Sequence, residues 1–135
     1  MKNKYLLDTN ICIYIIKNRP PAVREKFASL QLGDVAISSI TLFELKYGAY
    51  KKPNSEKYLQ VIDDFIAPLD IINFGVKSSD ICAKIRAELE RKGQVISLPD
   101  MQIASIALAR DYVLVTNNLR EFERVTSLKL ENWVE

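Results

Sequence analysis

The chain has 135 residues, of which 48% are hydrophobic and 27% are charged, and we predict one compact domain spanning residues 1–135. Its 19 basic and 17 acidic residues give a net charge of +2, which does not by itself indicate a nucleic-acid-binding protein. The sequence contains no histidine, so histidine acid–base catalysis, serine triads that use histidine and the common zinc sites are excluded, and carboxylates remain as the reactive groups.

Five short apolar runs are typical of strands, and several are rich in branched side chains. They are residues 5–8, 35–38, 69–72, 112–116 and 128–131. Longer segments with helical spacing lie between them. Because strands that alternate with helices favour a parallel sheet covered on both faces, we predict an α/β fold with a central parallel sheet flanked by helices.

Asp8 directly follows the first predicted strand. In open parallel sheets, ligands bind outside the carboxyl ends of the strands, where the strand order reverses. Asp8 therefore lies where a ligand-binding side chain is expected. The alternative is that Asp8, with Thr9 and Asn10, only caps the following helix, a role worth about 1 kcal/mol.

Glu44 lies on a helix that is predicted to start at the serine pair 38–39 and to turn Ile40, Phe43 and Tyr47 inward. A carboxylate on a mostly apolar face needs a partner, because burying an unpaired charge is expensive. The partner is either a bound cation or an internal salt bridge.

The next predicted helix covers residues 76–92, since Ile81, Ile85 and Leu89 recur at intervals of four and Gly93 is placed where a helix would end.

A further helix is predicted to begin at Pro99 and to carry Asp100 on one face with Ile103, Ala104 and Ala107. The helix dipole alone would favour Asp100 there by about 0.3–1 kcal/mol, which is the alternative to a functional role.

The fourth predicted strand ends in three polar residues, Thr116, Asn117 and Asn118. They either add to a polar cluster at the same edge of the sheet or form a simple turn.

No run of the sequence approaches the roughly 18–20 apolar residues of a membrane-spanning helix, and the N-terminus lacks the small-residue cleavage site of a signal peptide. We therefore expect a cytoplasmic protein without membrane contact. Cys12 and Cys82 lie at helix-like positions among Ile and Ala, so we expect them in the core without a disulfide.

Four motifs, taken in order, resemble PIN-domain ribonucleases, in particular the VapC-like toxins of bacterial toxin–antitoxin operons. They are LLDTN, ITLFELKYG, GQVISLPDMQIASIA and LVTNNLREFERV followed by LKLENW. The resemblance covers nearly the whole chain and implies a PIN-like three-layer sandwich. It also implies a metal-dependent endoribonuclease using Mg²⁺ or Mn²⁺, in which Asp8, Glu44 and Asp100 match the three principal acidic positions. Asn118 matches a fourth position that is Asp in many members and Asn in others.

Carboxylates converging at strand ends suit this chemistry, because hard divalent cations take oxygen ligands. Such an ion would activate a water for attack on RNA and stabilise the transition state, which replaces the missing histidine. Asn118 drops one negative charge, so a second metal should bind more weakly. Thr9 and Thr116 are candidates for ordering water through their hydroxyls, with cap or turn roles as the alternative.

RNA contacts are less defined by the sequence. Basic residues after Glu44 and Asn118 either line a groove for phosphates or serve as ordinary surface charge, and Arg86 is expected to pair with Glu90 one helical turn on. Three aromatic residues either stack on unpaired bases or pack in the core. The basic residues are Lys46, Lys51, Lys52, Arg120 and Arg124, and the aromatic ones are Tyr47, Tyr50 and Phe122.

The resemblance further implies a homodimer that a VapB-like antitoxin holds inactive by covering the acidic pocket. Two other functions remain open at this stage. An aspartate-nucleophile phosphatase would need a second Asp two residues after Asp8, where this chain has Asn10. A non-catalytic PIN-like binding module would use the pocket only to hold a partner, and Asn118 leaves room for that.

Overall fold

Five short strands form one parallel sheet. The computed structural model describes residues 2–134, and its strands are ordered β3-β2-β1-β4-β5 with every neighbouring pair parallel. The strands are β1 Tyr5–Leu7, β2 Val35–Ser38, β3 Asp70–Ile72, β4 Val113–Val115 and β5 Leu130–Glu131. Each lies within a predicted segment, so the five predicted strands are confirmed.

Seven helices connect the strands across the described part of the chain. They are α1 Thr9–Lys17, α2 Pro21–Ala28, α3 Ser39–Tyr50, α4 Ser55–Ile66, α5 Val76–Lys92, α6 Leu98–Arg110 and α7 Leu119–Phe122. Helix α5 has its predicted bounds and ends at Gly93, whose φ of 66° requires the left-handed region that glycine tolerates. Helix α6 begins one residue before Pro99, because the Ser97 hydroxyl caps it by accepting from the Asp100 amide.

The sheet separates two hydrophobic cores, as expected when successive strand residues point to opposite faces. Leu6 packs on one face with residues of α5 and α6. Leu7 packs on the other face with residues of α1, α2, α3 and α4. Cys82 belongs to the first core and Cys12 to the second, and both are buried thiols. The predicted three-layer α/β sandwich is confirmed.

The predicted inward stripe of α3 is wrong for Phe43 and Tyr47 and right for Ile40, which packs against the first core. Phe43 and Tyr47 are 68% and 57% exposed, whereas Thr41, Leu45 and Ala49 are buried. Ile40, Leu42 and Tyr50 add further apolar surface around the same helix, so it is apolar on nearly every side and its periodicity does not single out the buried face. Packing against α4 and the sheet selects the stripe of smaller side chains.

The strand order places one edge of the sheet at a topological switch point. From β1 the chain first moves to β2 and β3 on one side and later to β4 and β5 on the other. Asp8 follows β1 at this point, and its amide donates to the Val115 carbonyl at 3.0 Å. Ligands of open parallel sheets bind at such a position. In the part of the chain that the structure describes, no helix has the length and hydropathy needed to cross a membrane.

Candidate active site

Asp8 has both of the roles considered from the sequence. Its Oδ1 accepts a hydrogen bond from the Ile11 amide at 2.9 Å, which caps α1. The side chain is also only 6% exposed at the switch point of the sheet. The cap fixes one oxygen in place, so the carboxylate is held in a defined orientation at the position where a ligand is expected.

The environment of Asp8 opposes its negative charge. Burial raises the pKa of Asp8 to about 6, and the nearby Asp100 and Glu44 carboxylates add to the rise. The Thr116 hydroxyl and the Ile11 amide lower the pKa of Asp8, but they offset only part of this rise. Three acids that are far apart in sequence are therefore close enough to repel one another.

Glu44 lies at the border of the buried face of α3 and is half-buried. Its Oε1 is 2.5 Å from the Thr9 hydroxyl oxygen, which is itself 3.1 Å from the Thr41 hydroxyl oxygen. Lys46, two residues further along α3, pairs with Asp63 at 2.9 Å. The salt-bridge alternative for Glu44 is wrong, because its charge meets a hydroxyl and no basic side chain within residues 2–134.

Asp100 lies in the first turn of α6, where Ile103, Ala104 and Ala107 are buried as predicted. Burial raises the pKa of Asp100, and the carboxylates of Glu121 and Glu44 contribute to the rise.

Glu121 was not singled out from the sequence. It lies in the first turn of α7, three residues after Asn118, and is half-buried. Its charge acts on Asp100, so a fourth carboxylate belongs to this region. The sequence did contain a signal for Glu121, because it places an acid in the helix that directly follows the polar turn at residues 116–118.

Asn118 and Thr116 follow β4 at the same edge of the sheet. The Thr116 hydroxyl accepts from the Asn118 amide at 2.9 Å, so the turn role expected as an alternative for Thr116 is present. Asn118 is half-buried and its side chain does not cap α7. Asn117 instead donates to the Tyr14 hydroxyl at 2.9 Å, which directs it to α1.

The acids of this region have no basic partner in the described part of the chain, where every salt bridge joins other residues. The side chains are nevertheless not tightly clustered. Within residues 2–134 no group of three or more Asp, Glu or Cys side chains is close enough to enclose a metal ion as it stands.

The surface beside Glu44 carries aromatic and basic side chains. Phe43 and Tyr47 stack with ring centroids 6.3 Å apart, and Lys51 lies 5.0 Å from the centre of the Tyr47 ring. Tyr50 is 65% exposed, whereas Phe122 is buried and belongs to the core. The predicted Arg86–Glu90 pair is confirmed at 3.3 Å.

Comparison with known proteins agrees with this architecture. Residues 5–128 match the model of the PIN domain family. The chain is 46% identical over 130 residues to the tRNA(fMet)-specific endonuclease VapC of Shigella flexneri, covering 96% of this chain and 98% of the relative. It is 45% identical over 131 residues to ribonuclease VapC2 of Haemophilus influenzae, covering 97% of this chain and 98% of the relative.

Solved structures give the same result. DNA-bound VapBC from Salmonella typhimurium superposes with a TM-score of 0.91 at 45% identity, covering 98% of this chain and 99% of the other. VapBC2 from Rickettsia felis, bound to a promoter DNA fragment, superposes with a TM-score of 0.89 at 42% identity, covering 96% of this chain and 98% of the other. The chain therefore belongs to the PIN-domain family. The predicted resemblance to VapC-like ribonuclease toxins is confirmed, and the phosphatase alternative is wrong.

Proposed function

We propose that this chain is a divalent-metal-dependent endonuclease that hydrolyses phosphodiester bonds in RNA and blocks translation as the toxin of a toxin–antitoxin pair. Asp8, Glu44 and Asp100 are the principal metal-binding residues, and Asn118 supplies a further oxygen. The observation that carries the proposal is the group of carboxylates at the switch point of the sheet. Glu44 contributes to the raised pKa of both Asp8 and Asp100, and none of the three acids has a basic partner within residues 2–134.

The chemistry of this donor set fits Mg²⁺ or Mn²⁺. All candidate donors are oxygens, and Mg²⁺ usually takes one or two carboxylates and keeps several waters, so the acids need not enclose it fully. When bound, the ion would neutralise the carboxylates, activate a water and stabilise charge on the attacked phosphate.

The protein itself fixes the orientation of the acids. The Ile11 amide holds Asp8, the Thr9 hydroxyl holds Glu44, and the Ser97 hydroxyl secures the first turn of α6 that carries Asp100. Groups held in place before the substrate arrives need less rearrangement in the transition state.

Transfer RNA is the substrate class that we propose, and specifically the initiator tRNA(fMet). The support is that the similar endonucleases of Shigella flexneri and Salmonella typhimurium are tRNA(fMet)-specific by name. Phe43, Tyr47 and Tyr50, here called the aromatic stripe, add physical support. They are exposed on the helix that carries Glu44, and exposed rings beside lysines suit unpaired bases and their phosphates.

The proposed partner is a VapB-like antitoxin, since the similar Salmonella and Rickettsia structures are VapBC complexes. A groove of about 340 Å³ between α1, α3 and α4 supports this. Its walls include Ile13, Ile16 and Val61, and Glu44 also lines it, so a bound apolar segment would also cover Glu44. We further propose the homodimer and the cytoplasmic location that the family resemblance implies.

The test uses the purified chain, freed of antitoxin, with initiator and elongator methionine tRNA in separate reactions. We expect cleavage of the initiator tRNA in Mg²⁺ or Mn²⁺ and no cleavage in EDTA, with the Asp100→Asn variant as the inactive control. Equal cleavage of both tRNAs would contradict the initiator specificity. Cleavage that persists in EDTA would refute the metal requirement, and intact RNA throughout would refute the activity.

The aromatic stripe has its own test in the Tyr47→Leu/Tyr50→Leu double variant. Loss of base stacking, worth roughly 1–3 kcal/mol per base, should raise KM about tenfold or more while kcat stays near the wild-type value. An unchanged KM would show that RNA does not contact the stripe. A change in oligomeric state by light scattering would instead identify the stripe as a contact between two copies of the chain.

A further inference from the structure

We propose that Thr41 is a positioning residue for the carboxylate site, which acts on Glu44 through Thr9. The inference rests on the proposed function only in taking Glu44 as a metal-binding residue. Three oxygens form a continuous chain between α1 and α3. The Thr41 and Thr9 hydroxyl oxygens are 3.1 Å apart, and the Thr9 oxygen is 2.5 Å from Glu44 Oε1.

The protons in this chain have one consistent assignment. A threonine hydroxyl has a single proton to donate and can also accept. An ionised carboxylate can only accept hydrogen bonds, so in the contact between Thr9 and Glu44 the Thr9 hydroxyl donates its proton to Glu44 Oε1. The Thr9 oxygen is then the acceptor for Thr41, whose hydroxyl donates to it.

Burial makes this arrangement hard to replace with water. Thr41 is 0% exposed, and within residues 2–134 Thr9 is the hydrogen-bond partner of its hydroxyl. Leaving a buried hydroxyl without a partner costs about 1–3 kcal/mol. Thr41 therefore fixes the rotamer of Thr9, and Thr9 in turn fixes Glu44.

The direction in which Glu44 is held matters for its proposed role. Oε1 is engaged by Thr9, while Oε2 has no hydrogen-bond partner within residues 2–134 and is not buried. Thr9 is also the chain neighbour of Asp8, so the same contact ties α3 to the residue that follows β1. The contact leaves one Glu44 oxygen available to a ligand and sets its position relative to Asp8.

The experiment is a calorimetric Mn²⁺ titration of the full chain and its variants. Thr41→Val has nearly the same shape and lacks the hydroxyl, so we expect Mn²⁺ affinity to fall about tenfold, the low end for residues that orient metal ligands. Thr41→Ser restores the hydroxyl and should bind like the wild type. In a Thr9→Val background, Thr41→Val should not lower Mn²⁺ affinity further, because the Thr9 hydroxyl through which Thr41 acts on Glu44 is already absent.

The control is Ser105→Ala, which also removes a fully buried helix hydroxyl. Ser105 donates to the Met101 carbonyl at 2.6 Å and, within residues 2–134, makes no hydrogen bond to any of the acids. We expect it to destabilise the fold without changing Mn²⁺ affinity. Wild-type affinity in Thr41→Val, or an equal loss in Thr41→Ser, would overturn the positioning role.

A metal-free measurement separates this inference from the proposed function. In the wild type without metal, the Thr9 hydroxyl proton should be protected from exchange and visible by NMR, and Thr41→Val should weaken that protection while Ser105→Ala keeps it. If the wild type bound no Mn²⁺, the proposed metal chemistry would fail, and the NMR result would still decide the contact. Protection of the Thr9 proton in Thr41→Val equal to that in the wild type would refute the inference by itself.

Discussion

Asp8→Asn should stabilise the metal-free protein at alkaline pH, although it removes a proposed catalytic group. Asparagine keeps the volume of the side chain and an oxygen that can accept from the Ile11 amide, so the cap of α1 is preserved. The substitution removes the buried charge, whose net cost already includes the stabilising contact with the Thr116 hydroxyl. The folded pKa of Asp8 is raised from 3.8 to about 6, so the charged form is less favourable in the folded state than in the unfolded one.

The size and pH range of the effect follow from this shift. A rise of about two pKa units corresponds to about 3 kcal/mol. The contribution of Asp8 to stability is fully present below pH 3.8 and is lost as the pH rises through about 6. At pH 8 the substitution should therefore raise the melting temperature by about 10 °C, given the unfolding entropy expected of a domain of this size. At pH 4 the difference should nearly vanish.

Thermal melts by circular dichroism in EDTA at pH 4 and pH 8 measure this directly. Asp64→Asn is the matched control, because Asp64 is exposed on α4 and accepts from Gln60 at 2.8 Å; its melting temperature should change little at either pH. Adding Mn²⁺ at pH 8 should raise the melting temperature of the wild type and much less that of Asp8→Asn. The reasoning would be refuted if the melting temperature of Asp8→Asn at pH 8 were equal to or below that of the wild type. It would also be refuted if the substitution raised the melting temperature as much at pH 4 as at pH 8.

Three further substitutions test the remaining members of the site. Asp100→Asn should abolish RNA cleavage and keep antitoxin binding, with a metal-free melting temperature equal to or above that of the wild type, since the amide preserves volume and removes a charge that burial and nearby acids disfavour; substantial residual cleavage would count against a metal role for Asp100. Glu44→Gln should weaken Mn²⁺ binding and leave the metal-free melting temperature equal or higher, because it relieves repulsion with Asp8 and Asp100. A lower metal-free melting temperature would contradict that account. Asn118→Asp should tighten a second Mn²⁺ in a calorimetric titration by adding a negative charge, and an unchanged titration would place Asn118 outside direct metal contact.

Local sequence patterns were sufficient for most of the secondary structure. The strands are short apolar runs and α5 has a regular spacing of four, so the residues that define each element are neighbours in the chain. The caps at Asp8 and Ser38 are local as well, because each side chain accepts from an amide three residues on. The position of Asp8 at a strand end also followed from the sequence once a parallel sheet was expected.

The tertiary structure decided what the local patterns could not. Helix α3 is apolar on nearly every side, so only its packing against α4 and the sheet determined that Phe43 and Tyr47 face outward. The contribution of Glu121 required its carboxylate to lie near Asp100 in space, and the contacts of Thr9 with Thr41 and Glu44 join residues 32 and 35 positions apart. The sequence by itself determined which side chains are acids and, to within about two residues, where the five strands and helices α3, α5 and α6 begin. The order of the strands determined which of those acids meet, because electrostatic repulsion and hydrogen bonding depend on distance in space.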